Sequence, residues 1–124
     1  MKIDGVRALG LVVAAVIVLA SGIWLTRSGR PYGAVPLNIH KLVDLAAVAI
    51  IGIAVGQANR AAPLSTAEWL VIGGAAVFVV ASFASGGVIS GMQSPPAAVL
   101  WLHRVGSWIA AALAAATAYL VVMR

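Results

Sequence analysis

The chain contains no cysteine, which excludes disulfides, thiolate-bound metal centres and cysteine nucleophiles. Charge is nearly as scarce. Charged residues are 9% of the 124 positions, too few to solvate the surface of a soluble domain of that length. The net charge of +5 comes from Lys and Arg scattered at segment ends. Lipid headgroups suit such cations, and no basic cluster points to nucleic acid. Histidine occurs twice, at His40 and His103. Two imidazoles without cysteine or paired carboxylates are too few ligands for a zinc or copper site.

What remains is apolar. Stretches at about 8–26, 37–56, 66–86 and 97–122 are each long enough to cross roughly 30 Å of hydrocarbon as a helix. They predict an integral membrane protein with one all-α transmembrane domain over 1–124 and little outside the bilayer. Val18-Leu-Ala20 before Ser21 has the pattern of a signal-peptidase site, with cleavage as the alternative reading. The apolar run continues to Leu25, so we expect a retained first helix. Pro36 suits the first position of the second helix, and Gln57–Leu64 reads as a loop. Ser65-Thr-Ala-Glu68 has capping-box spacing. Gly87–Gln93 reads as a loop, with Ser94-Pro95 opening the last helix. Loops this short predict an up-down-up-down four-helix bundle. Helices two and four then point the same way, with both histidines toward one membrane face.

An imidazole inside a membrane is costly. Two of them early in parallel helices predict a pair of axial ligands to one haem b iron. Gly22 and Gly86 fall near the depth of the histidines and would clear a porphyrin edge, or serve helix packing equally well. Arg30, Lys41, Arg104 and Arg27 lie on the same side and suit the haem propionates, the alternative being snorkelling to the interface. Asp44 follows His40 by one turn. We favour an ion pair with Lys41 or a protonated carboxyl there, over a proton acceptor for a quinone or a partner of the haem ligand. Ser107 holds the matching place after His103.

A faint repeat runs through the chain: Ser21-Gly22 precedes His40-Lys41, and Ser85-Gly86 precedes His103-Arg104. One irregularity counts against it, since Pro95 starts its helix about a turn earlier, relative to the histidine, than Pro36 does. Trp24, Tyr32 and Trp101 toward one end, with Trp69 and Tyr119 toward the other, read as aromatic belts. Met92, a conceivable axial ligand, falls in a loop. Lys2, Arg7, Arg60 and Arg124 lie on the N-terminal side. With Lys41 and Arg104 assigned to propionates, the positive-inside rule puts the N-terminus in the cytoplasm, and we expect a bacterial inner membrane.

The bundle, with His40 and His103 on alternate helices, resembles the small membrane-bound b-type cytochromes of the cytochrome b561 and ferric-reductase-like group. The resemblance implies bis-histidine haem b and electron transfer to or from a quinone or a partner protein. Members of the b561 type carry two haems on four histidines; two histidines here allow one haem, at one face. We therefore expect an electron-transfer subunit rather than a stand-alone enzyme, within a larger membrane complex or a homo-oligomer. Two other classes compete. One is a non-redox scaffold or assembly subunit with interfacial histidines. The other is a small transporter built on the two-helix repeat, with Asp44 as its coupling acid.

Overall fold

A computed structural model describes residues 3–124, with side chains from Gly5 onward. Lys2, used above for orientation, lies outside the described residues. The described residues form four helices and no strand: α1 (Ile3–Arg27), α2 (Ala34–Ala61), α3 (Thr66–Gly91) and α4 (Ala97–Val122). Each helix is long and apolar enough to cross a membrane. The chain is thus an integral membrane protein of the expected all-α class, consistent with a four-helix bundle. Helices are the natural outcome, because lipid offers no partner to a backbone N–H or C=O and a helix bonds both within itself. Its wide apolar faces follow from the same solvent: Leu70 is 72% exposed and Val77 66%, with hydrocarbon as the partner.

The chain divides into two compact units, the first holding everything up to Pro63 together with Ala118–Arg124, the second Leu64–Thr117. The first unit is built on the α1–α2 hairpin. Gly29 makes the exit from α1 with φ +76°, a backbone setting that costs glycine little and other residues more. Gly33 is the N-cap of α2, and its carbonyl accepts from the Leu37 N–H at 3.2 Å. The helix therefore begins two residues before Pro36, earlier than expected. Pro36 is its third residue, where the missing N–H is one of the first-turn donors that have no helical partner anyway.

The expected loop from Gln57 is helical as far as Ala61. An interior glycine such as Gly56 costs about 1 kcal/mol, which does not end a helix whose backbone bonds are worth keeping. Pro63 does: the residue before it, Ala62, is extended at φ −153° and ψ 133°, as a following proline requires. The Arg124 guanidinium then donates to the carbonyls of Ala62 at 2.7 Å and Pro63 at 3.0 Å, satisfying oxygens at the foot of this unit.

In the second unit the capping box forms as expected. The Ser65 N–H donates to Glu68 Oε2 at 2.7 Å, and the Glu68 N–H donates to Ser65 Oγ at 3.3 Å. Helix α3 runs through Gly86 and Gly87 to Gly91, five residues beyond its expected end, and Met92 is its C-cap. Helix α4 starts at Ala97, where its apolar run begins and two residues after the expected first residue Pro95, and Ser94 is not its cap: the Pro96 carbonyl accepts from Val99 and Leu100 at 3.0 and 3.2 Å. These bounds remove the irregularity in the repeat. His40 is the seventh residue of α2 and His103 the seventh of α4, while Ser21 and Ser85 each stand six residues before their helix ends.

Candidate functional site: a histidine cradle in each unit

Antiparallel hairpins bring the end of one helix against the start of the next. In the first unit that sets Ser21 and Gly22 of α1 beside His40 of α2. Ser21 is buried. Its hydroxyl donates to the Val18 carbonyl at 2.8 Å and its oxygen lies 3.0 Å from His40 Nδ1. The serine hydroxyl, within reach of the Val18 carbonyl, presents its oxygen to the ring nitrogen. Gly22 supplies the floor: a Cβ there would stand 3.3 Å from His40 Cε1.

The second unit repeats the arrangement. His103 Nδ1 lies 3.1 Å from Ser85 Oγ and 3.0 Å from the Ser82 carbonyl oxygen. A carbonyl only accepts, so Nδ1 carries the proton. The Ser85 hydroxyl donates to the Ala81 carbonyl at 2.7 Å and the Ser82 carbonyl at 3.1 Å, leaving a lone pair toward the ring. A Cβ on Gly86 would stand 3.0 Å from His103 Cε1. Gly106 lets α3 and α4 approach here, a Cβ on it lying 3.8 Å from Ser82 Oγ. In the second unit Nδ1 is therefore the protonated nitrogen and Nε2 holds the neutral ring's lone pair, whereas in the first Nδ1 meets a hydroxyl, which can either accept or donate.

The two cradles differ below the ring. Asp44 Oδ2 is 3.4 Å from His40 Nε2, one turn on, with the two side chains 21% and 18% exposed. Carboxylate oxygen and imidazole lone pair both accept, so this approach is favourable only with a proton between them. Asp44 Oδ1 is buried without a hydrogen-bond partner. The second unit has Ser107 at that place.

The space each glycine leaves is faced by the imidazole of its own unit. Of the cations, Lys41 and Arg104 are exposed beside their histidines in sequence. Arg30 is exposed and turned to its own loop, its Nε donating to the Tyr32 hydroxyl at 3.3 Å and its guanidinium 5.5 Å from that ring's centroid. Trp24 and Trp101 are exposed at 48% and 66%, as interfacial aromatics are. The sequence reading missed the histidine-holding role of Ser21 and Ser85, although their recurrence before glycine was the available signal. It missed Ser82 entirely, because a main-chain carbonyl leaves no trace in residue identity.

Among the described residues no group of three or more His, Asp or Glu side chains could hold a bare metal ion. A haem iron asks less of the protein, since the porphyrin supplies four nitrogens and axial imidazoles the rest. Each unit by itself offers one imidazole seated at Nδ1, a ligand type such an iron accepts. No protein family, curated protein or solved structure matches this chain.

Proposed function

We propose that this protein is a membrane electron-transfer subunit in which Nε2 of His40 and Nε2 of His103 are the axial ligands of one haem b. The carrying observation is the repeated cradle: in each unit a buried serine and a glycine seat one imidazole, with its Nδ1 within hydrogen-bond distance of the serine oxygen. Structural histidines do not require the same nitrogen to be kept for a ligand twice. When bound, haem b supplies a one-electron couple at its iron. The protein's own part is to fix two rings, to keep Nε2 as the lone-pair nitrogen, and to exclude water with apolar helices. Lys41, Arg104 and Arg30 are the cations assigned to the propionates. A quinone or a haem partner on one side and another redox protein on the other are the proposed exchange partners. The proposed setting is a bacterial inner membrane with the N-terminus in the cytoplasm.

The test is the visible spectrum of the purified chain with haem. A low-spin spectrum at one haem per chain, lost in both His40→Ala and His103→Ala, is expected. Retention of that spectrum in both variants rejects the assignment.

One observation favours a second reading. A buried carboxyl oxygen without a partner, on Asp44, suits the coupling acid of a small proton-linked transporter. In that case Asp44→Asn abolishes proton-driven uptake in vesicles and the chain takes up no haem.

A further inference from the structure

The two histidines face different competition for their proton. An imidazole has two tautomers, and only the one protonated on Nδ1 leaves Nε2 free to ligate iron. At His103 two acceptors hold Nδ1–H: the Ser85 hydroxyl and the Ser82 carbonyl, at 3.1 and 3.0 Å. At His40 one does, Ser21 Oγ at 3.0 Å. His40 also has an opposing acceptor, the Asp44 carboxyl 3.4 Å from Nε2, which stabilises the wrong tautomer by accepting a proton from Nε2. The second unit has serine, not a carboxylate, at the corresponding position 107.

We infer that Ser21 is the tautomer-selecting residue of His40, holding the ring's proton on Nδ1 against the pull of Asp44, and that Ser85 is not equally needed because the Ser82 main chain backs it up. Ser21 is a positioning residue and touches no reacting atom. Its buried hydroxyl is preset for the task, since the bond to the Val18 carbonyl turns its lone pair to the ring. The inference rests on the haem reading only in taking Nε2 as the ligating nitrogen; the tautomer itself is a property of the chain before haem is added.

The experiment uses the full chain labelled with 15N-histidine, reconstituted in lipid nanodiscs without haem. Nitrogen chemical shifts report which ring nitrogen is protonated. Wild-type protein is expected to show Nδ1–H at both histidines. Ser21→Ala should move the His40 proton from Nδ1 toward Nε2, while Ser85→Ala leaves His103 protonated on Nδ1. Asp44→Ala alone should leave His40 protonated on Nδ1, and Ser21→Thr should retain the wild-type pattern. None of these shifts follows from a general loosening of the fold. Adding iron protoporphyrin IX to the same samples should then give a several-fold lower low-spin haem content for Ser21→Ala than for Ser85→Ala. Unchanged His40 tautomers in Ser21→Ala, or equal tautomer changes in the two serine variants, would overturn the selector role. If the tautomers shift as expected and no sample binds haem, the haem reading fails and the selector stands.

Discussion

Thr117 is the most deeply buried large side chain described, at 1% exposure, and its hydroxyl has no hydrogen-bond partner. A hydroxyl buried without a partner costs roughly 1–3 kcal/mol, and valine has nearly the same shape without that cost. Thr117→Val should therefore raise thermal stability, with a gain of about 1 kcal/mol in a reversible unfolding titration. A loss of comparable size would mean that the hydroxyl is engaged after all. The glycines under the imidazoles give the opposite case. A methyl group on Gly86 would sit 3.0 Å from His103 Cε1, against 3.3 Å for Gly22 and His40. The ring of His103 is also held by two acceptors, so it has less room to tilt. Gly86→Ala should destabilise by about 1–3 kcal/mol, as overpacking does, and Gly22→Ala by less, both read by thermal unfolding. Equal costs would show that the glycines serve something other than ring clearance. At this scale the histidines and glycines were legible in the sequence because both types are unusual where they stand. Their pairing was not: nothing in residue identity says that a glycine at 86 lies under the ring at 103.

The helices were legible in number and approximate position, since unbroken apolar runs have one solution in lipid. Their ends were not, wherever glycine was read as a stop. Gly56 and Gly86 are passed through, and Pro63 is what ends α2. The start of α3 was read correctly from Ser65 and Glu68, because a capping box is a local arrangement carried by its own four residues. Removing it by Ser65→Ala should cost about 1 kcal/mol, with fraying confined to the first turn of α3 in amide hydrogen exchange. Protection lost along the whole helix would instead assign Ser65 a tertiary role. The repeat also belongs to this scale. Once the true helix starts are used, each hairpin places serine, glycine and histidine in the same register, and each sets the serine oxygen about 3 Å from the ring's Nδ1, at 3.0 and 3.1 Å.

For the whole molecule, the lack of cysteine permits an unambiguous topology measurement, because any thiol introduced is the only one present. The proposed orientation puts Arg30 outside and Arg60 in the cytoplasm, at opposite ends of α2. In intact cells a membrane-impermeant maleimide should label Arg30→Cys, and should label Arg60→Cys only after permeabilisation. The reverse pattern would invert the orientation and place the histidine end of α2 at the cytoplasmic face. Composition alone determined that this chain lives in a membrane, is all-helical and has four spans, because those outcomes depend on solvent and segment length. It also singled out His40 and His103, since so few groups in the chain can do chemistry. Only the tertiary structure decided what each ring nitrogen meets. Those partners are a serine within reach of its own helix's carbonyl, the Ser82 carbonyl and the Asp44 carboxyl. Distances of about 3 Å between groups far apart in sequence set it, and hydrogen bonding is too short-ranged and too directional to be read from composition or spacing.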